Sequence, residues 1–337
     1  MKVKIDEMTK LMKNVLAKNG LSKREAELLV EDYVLGELEG KKSHGMMAFP
    51  SFVEKIPKTK RGKIVIEKEG ISFALLNCNQ EFGQIAAEEA RKILVKKAKA
   101  NGIAMVGAYN MRAFLRPGTQ AEKIEKEGMI GIVVNNGGLG SIAPTGSIDP
   151  ILGTNPVGLA IPTKENPITG DFATSKRAWG EVRVAKAEGR KLPENTFMDK
   201  EGNFTTEPDK AESVVPFGDY KGYILALFIE ILTGSLVNMP MGVNPEDSGQ
   251  GSLRFLTKKG DMRGAIFIAI DPSKFTDFKR FKAANTKLLA QIKSSRKARD
   301  VREILIPGER SLKNKNKARS QGYFEIDKDL YEKIKNL

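Results

Sequence analysis

The stretch DPILGTNPVGLAIPTKENPITGDFATSKRAWGE, residues 149–181, decides how the rest of the chain reads. Val157 to Ile161 is a short apolar run with the length and bounds of a buried strand. Pro162 and the pair Asn166-Pro167 close it and force a turn. A second extended piece then ends in Asp171-Phe172-Ala173-Thr174-Ser175, which is polar where a core strand would be apolar. The small residues Ala173, Thr174 and Ser175 let another molecule approach the backbone, and their hydroxyls can bind polar groups. Gly153, Thr154 and Asn155, just before the first strand, share that character. The pattern fits a ligand cradle on a double strand edge, although two ordinary loops at strand ends would read the same.

Working outward, 337 residues suit two domains, or one large domain with an insertion. A hydrophobic content of 40% is ordinary for a soluble globular protein. No apolar run reaches the roughly 20 residues of a membrane span. The N-terminus enters a helical pattern directly, so no signal peptide is expected and a cytoplasmic location follows. Cys78 is the single cysteine and His44 the single histidine, which excludes an internal disulfide and a Cys/His zinc site; no metal is expected. The net charge of +14 invites a nucleic-acid reading. Against it, the basic residues are spread along the chain among 42 acidic ones, and no aromatic-basic stacking platform is visible. A solvated Lys/Glu surface, or a field that attracts an anionic cofactor, fits better.

Residues 5–19 carry Ile5, Met8, Leu11, Met12, Val15 and Leu16 at helical spacing, stopped by Gly20. Ser22-Lys23-Arg24-Glu25 is a capping box for a second helix to about Leu38. A polar elbow around His44 leads to a short amphipathic segment using Phe49, Phe52 and Ile56, so the first 60 residues read as helical. Strands follow at Ile64–Ile66 and Phe73–Leu76, then a helix over Gln84–Ala100, a strand at Ile103–Tyr109, a helix over Thr119–Lys126 and a strand at Met129–Val134. This alternation predicts an α/β layer architecture. Ala178–Ala187 reads as helix, and the polar residues 190–215 as a surface excursion. Tyr223 to Leu236 is apolar on nearly every face and is predicted to be a buried helix. Residues 238–263 are loop-rich, Ala265–Ile270 is a strand, and Phe275–Ile292 an amphipathic helix. Residues 303–310 read as an extended piece entering a turn, ahead of a basic tail in which Asp327 can cap a terminal helix.

Three motifs carry chemistry. Gly138-Leu139-Gly140-Ser141-Ile142-Ala143 follows a strand like a dinucleotide fingerprint, but Pro144 follows where a helix must begin, so a standard Rossmann site is rejected. Lys221-Gly222 opens the apolar helix, where N–H groups, a close backbone and an ammonium favour phosphate. A lysine decorating an exposed helix end is the alternative. His44 is the one side chain whose ordinary pKa suits proton transfer near neutrality, and it lies in a polar turn rather than on an apolar stripe.

Taken together, the segments resemble the malate/L-lactate dehydrogenase family, which includes sulfolactate, ureidoglycolate and diketogulonate dehydrogenases and a ketimine reductase. The markers are Ser43-His44-Gly45, Gly128-Met129-Ile130-Gly131, Ala143-Pro144-x-Gly146, Leu152-Gly153-Thr154-Asn155-Pro156, Asp171-x-Ala173-Thr174-Ser175, Lys221-Gly222-Tyr223, Phe267 to Pro272 and Ile306-Pro307-Gly308-Glu309. Their order and spacing span essentially the whole chain. The resemblance implies a non-Rossmann, nicotinamide-binding α/β domain, residues 71–272, inserted in a helical domain formed by both chain ends, residues 1–70 and 273–337. It implies cofactor contacts from Asp171, Phe172, Ala173, Thr174, Ser175, Lys221, Gly222, Gly308, Glu309 and Arg310 to NAD or NADP, and a homodimer. The implied reaction is hydride transfer between the nicotinamide and a 2-hydroxy acid or its 2-oxo or imine counterpart. His44 exchanges the proton, and Ser43 and Thr154 stand with the substrate.

Two departures from the family pattern matter. Ala48 stands where the family has an arginine suited to clamping a carboxylate. Met111 stands where a second active-site histidine is expected. One reading is a dehydrogenase of shifted specificity, with Arg112 or Arg116 replacing the clamp. The other is a homologue that binds cofactor without turnover.

Overall fold

Residues 1–137, 140–242 and 262–337 are described by the computed structural model of the chain. Gly138 and Leu139 of the rejected fingerprint, and most of the loop-rich stretch 238–263, lie outside the described residues. The N-terminal elements are β1 (Lys2–Lys4), α1 (Ile5–Lys18), α2 (Lys23–Leu38) and α3 (Phe49–Val53). Then come β2 (Val65–Glu69), β3 (Phe73–Asn77), α4 (Gly83–Asn101), β4 (Ile103–Arg112), α5 (Pro117–Glu125) and β5 (Ile130–Asn135). The middle of the chain forms β6 (Val157–Ile161), β7 (Ile168–Phe172), α6 (Gly180–Glu188), β8 (Phe197–Met198), β9 (Phe204–Thr205), β10 (Ser213–Val214) and α7 (Tyr220–Thr233). It closes with β11 (Met262–Ile270), α8 (Phe278–Ser294), α9 (Glu309–Gln321), β12 (Tyr323–Glu325) and α10 (Lys328–Lys335).

The capping box is present as read: Ser22 Oγ accepts the Glu25 N–H, and the Glu25 carboxylate accepts the Ser22 N–H at 2.8 Å. β6 and β7 form the antiparallel hairpin that the proline-closed turn requires, with Val157 opposite Phe172. They end a seven-stranded sheet of order β2-β3-β4-β11-β5-β6-β7. Among the described strands of this sheet only β3 and β4 run parallel, because α4 supplies the crossover between them; the other neighbours are antiparallel. The architecture is mixed α/β.

One sheet face packs on α4 and α5. Ala86, Ala90 and Leu94 of α4 and Ile124 of α5 meet Val106, Val133 and Phe267 in one fully buried core. The small alanines let α4 lie close to the sheet. A second core joins the chain ends: Met8, Met12 and Leu16 of α1 and Leu29 of α2 pack with Phe324 and Ile334, while β1 pairs with β12. Each such large side chain contributes about 1.5–3 kcal/mol on burial.

Three expectations need correction. The polar stretch 190–215 is no loose excursion: β10, β8 and β9 form a small antiparallel sheet whose Phe197 and Val214 pack with Val182 and Ala185 of α6. Its buried residues are too sparse along the chain to give a periodic signal. The turn expected after residue 303 opens α9, a helix with no buried residue, which pattern reading has no apolar stripe to detect. Finally, α7 is buried on one face alone. Ala226, Ile229 and Glu230 face inward, whereas Tyr220, Ile224, Phe228 and Ile231 are exposed. By length and composition alone, Tyr220–Val237 could cross a membrane, contrary to the reading above; here its inner face lies on the sheet, with Ile229 against Val134, Val157 and Ile266.

Candidate active site

His44 ends the first of two short 3-10 turns, Lys42–His44 and Met46–Ala48, in the segment after α2. That elbow is pressed onto α2: a Cβ at Gly36 would come within 2.4 Å of the His44 carbonyl oxygen, so only glycine permits the approach. Glu37 Oε2 accepts the Met46 N–H at 3.1 Å and pins the second turn. The imidazole Nδ1 lies 3.0 Å from Ser43 Oγ.

Opposite this elbow stands the end of β7. Lys41 Nζ donates to Asp171 Oδ2 at 2.7 Å, tying positions 130 residues apart. Arg116 Nη1 reaches the same oxygen at 3.3 Å and Glu39 Oε2 at 2.7 Å. Gly118, in the first turn of α5, donates its N–H to Asp171 Oδ1 at 3.4 Å. A Cβ on Gly118 would meet the Asp171 Cβ at 2.5 Å. Glu39, Arg116, Asp171 and Lys41 thus form a row of alternating charge, with Arg116 only 4% exposed. Arg116 Nε and Nη2 are buried with no hydrogen-bond partner among the described residues.

This row borders a cleft of about 430 Å³, lined by His44, Ser43, Arg116, Thr154 and Asp171 together with Trp179 and Arg183. Burial is the main force on the His44 imidazole; Asp171 opposes it, while Arg116, Lys41 and Arg183 add to it, and the pKa falls to about 4. His44 is therefore neutral at physiological pH. For Asp171, burial disfavours the charged form, but Lys41 and Arg116 outweigh it and hold the carboxyl below the usual range. A second groove of about 690 Å³ is lined by Thr169, Glu122, Lys315, Gly308 and Glu309. It adjoins the first, because Glu39 lines the groove while it bonds Arg116 of the cleft.

Of the residues singled out from sequence, Ser43, His44, Arg116, Thr154, Asp171, Phe172 and Ala173 come together in the cleft. Thr174 and Ser175 lie buried beside it, but their hydroxyls are used internally, on the Thr154 and Arg177 carbonyls at 2.9 and 2.7 Å. Gly308 and Glu309 line the groove, where Glu309 accepts Lys293 Nζ at 2.6 Å. Arg310 is exposed and lines neither space. Lys221 is exposed and outside both, and its N–H and that of Gly222 donate to Gly218 and Phe217 carbonyls at 3.3 and 3.0 Å. The free donors expected there are already engaged; Gly222 serves instead to pack against the Thr174 carbonyl.

Arg112 does not line the cleft either. Asn110 adopts a left-handed conformation, which shifts the strand alternation by one and turns Met111 fully into the core against α4. Position 111 therefore presents no side chain to the cleft, and Arg112 beside it is half-buried, with its Nε fully covered. Ala48 packs against the helical core. Sequence reading missed Lys41, Glu39, Trp179 and Arg183. Lys41 stands two residues before Ser43 and Arg183 one turn beyond Trp179, but nothing local marks either as facing His44.

The malate/L-lactate dehydrogenase family matches residues 3–335, and the chain belongs to that family. It is accordingly an oxidoreductase. It is 37% identical over 338 residues to the malate/(S)-sulfolactate dehydrogenase of Methanothermus fervidus, covering 98% of this chain and 96% of that protein. It is 26% identical to a Δ1-pyrroline-2-carboxylate/Δ1-piperideine-2-carboxylate reductase of Pseudomonas putida, covering 98% of this chain and 95% of that one. Among solved structures it resembles sulfolactate dehydrogenase from Methanocaldococcus jannaschii, with a TM-score of 0.88 and 33% identity over 100% of this chain and 96% of that chain.

Proposed function

We propose that the protein transfers hydride between a nicotinamide dinucleotide, NAD or NADP, and a short 2-hydroxy acid that carries a second anionic group. The observation that carries this reading is the chain's single imidazole, hydrogen-bonded to Ser43 in a cleft walled by Lys41, Arg116 and Arg183. A cofactor fits the residues: Asp171 to Ala173 line the cleft, Gly308 and Glu309 line the adjoining groove, and the buried Arg116 beside them holds two nitrogens without partners among the described residues. When bound, the nicotinamide supplies the two-electron hydride chemistry.

Every other role falls to the chain. In the oxidation direction, neutral His44 takes the hydroxyl proton; Ser43 Oγ accepts from Nδ1–H and leaves Nε2 free as the base. In the reverse direction the imidazolium, still held through Nδ1–H by Ser43 Oγ, returns its Nε2 proton to the carbonyl oxygen and is left neutral. Arg116 Nη1 is held by Glu39 and Asp171, and the fixed guanidinium lines the cleft, where its charge stands in for the arginine that the family pattern places at position 48. Arg183, on the rim, receives the second anion. The M. fervidus relative, named for malate and (S)-sulfolactate, supports the dianionic class.

A homodimer fits the exposed stripe Ile224, Phe228 and Ile231 of α7, too apolar to be left in water. The pairing of β1 with β12 supports a helical domain built from residues 1–70 and 273–337 around 71–272. Ala48 and Met111 favour a second reading, a cofactor-binding homologue without turnover. A panel of oxaloacetate, sulfopyruvate, pyruvate and cyclic imines with NADH and NADPH separates them. Turnover of the dianions, with a large fall in His44→Ala, supports the enzyme; no oxidation above background with any of them refutes it.

A further inference from the structure

α7 carries only two charges between Tyr220 and Thr233, and one of them, Glu230, points inward with 2% exposure. A carboxylate in such a place is costly unless its oxygens are filled. They are. Oε2 accepts Asn155 Nδ2 at 2.6 Å and the Gly153 N–H at 3.4 Å, and Oε1 accepts the Gly242 N–H at 3.1 Å and Asn136 Nδ2 at 3.4 Å. All the donors lie in chain segments far from α7 in sequence except Gly242.

The bonds continue into the cleft. Asn155, fully buried and left-handed, gives its other amide hydrogen to the Ala226 carbonyl at 2.9 Å and accepts the Gly137 N–H on Oδ1 at 3.2 Å. Gly137 and Thr154 both line the cleft. They are in close register: a Cβ on Gly137 would come within 2.3 Å of Thr154 Oγ1. The Thr154 carbonyl in turn accepts the N–H and hydroxyl of Thr174, both at 2.9 Å, next to the Asp171–Ala173 ledge.

We infer that Glu230 is a positioning residue, which acts through Asn155 to fix the cleft wall formed by Gly137 and Thr154. The inference rests on the reading of the cleft as the substrate site. A wall held at this distance by a hydrogen-bonded chain sets how well a ligand fits, and leaves the proton-transfer group on the α2 elbow untouched.

The test compares Glu230→Gln and Asn155→Gly with Thr233→Ala. Thr233 is buried on the same helix and, among the described residues, its hydroxyl bonds only the Ile229 carbonyl of that helix, so it reports loss of stability alone. Glutamine keeps the shape of Glu230 but turns one acceptor into a donor aimed at N–H groups; glycine keeps the left-handed backbone of Asn155. Three quantities are read: the melting temperature, KM and kcat for malate oxidation, and quenching of Trp179, the single tryptophan and a cleft residue, by malonate as a non-reacting dianion.

Both test variants should raise KM and weaken malonate binding by roughly tenfold or more, as for one lost hydrogen bond to a charged group. In both, kcat should stay within about threefold. Thr233→Ala should lower the melting temperature with KM and malonate binding unchanged. A folded Glu230→Gln with wild-type KM and malonate affinity overturns the inference, and so does an equal shift in Thr233→Ala. Should Glu230→Gln fail to fold, Asn155→Gly decides by the same criteria. If the wild type neither binds malonate nor turns over any acid of the panel, the cleft reading itself fails and takes this inference with it.

Discussion

Replacing His44 with glutamine removes the one imidazole of the chain, and its surroundings fix what should be lost with it. In the folded protein burial and the cations Arg116, Lys41 and Arg183 lower the pKa from 6.5 to about 4. The unfolded chain, with an ordinary imidazole, therefore binds more protons than the folded one between those two values. Stability then rises with pH across the window and falls on acidification through it. At ~1.4 kcal/mol per pH unit, the wild type loses at most roughly 3 kcal/mol between about pH 6.5 and pH 4 that the variant does not lose. Urea unfolding of both proteins at a series of pH values gives the difference, because titrating groups remote from His44 cancel in the subtraction, and Asp171, which is coupled to it, stays ionised in the folded protein through most of the window. The imidazole proton resonances, unambiguous in a protein with a single histidine, should show a midpoint near 4. In Arg116→Met one of the repelling charges is gone, and the midpoint should rise. A flat wild-type-minus-variant difference, or a midpoint near 6.5, would refute the picture of His44 as a desolvated base among cations. The acid limb of kcat/KM for hydroxy-acid oxidation should follow the same low value.

Arg116→Met should destabilise by about 3–5 kcal/mol, since it strands the buried Glu39 carboxylate and leaves the half-buried Asp171 with Lys41 as its one cation among the described residues; denaturant unfolding measures it, and a loss below about 1 kcal/mol would mean that water reaches the row. Gly118→Ala forces a methyl group to within 2.5 Å of the Asp171 Cβ, so it should cost about 1–3 kcal/mol and displace the ledge. Unchanged stability and cofactor affinity, read by calorimetry, would show that the ledge yields freely. Phe228→Glu on the outer face of α7 should turn dimers into monomers in sedimentation velocity, and no change would remove that face as the interface.

Local chemistry made much of the framework legible. The capping box acts across three residues, the β6–β7 hairpin across a few more, and the α4 period within one helix, so each is written in consecutive residues. The elements that escaped have no such mark. α9 buries no side chain and is held from outside, where Asn314 Nδ2 donates to the Glu39 carbonyl at 3.1 Å. α7 reads as apolar all round, and only the sheet decides which face is covered.

The site divides in the same way. The sequence determined that a lone histidine sits in a polar turn and that a small-residue ledge ends the hairpin, and its resemblance to the family suggested that Ala48 and Met111 stand in place of an arginine and a second histidine. It could not say what takes over their roles. Only the tertiary structure decided that Arg116 rather than Arg112 faces His44, that Lys41 closes on Asp171, and that Glu230 supports the wall behind them. The physical reason is range: hydrogen bonds and ion pairs that join residues 55, 75 or 130 positions apart leave no periodicity behind, so they exist only once the chain has folded.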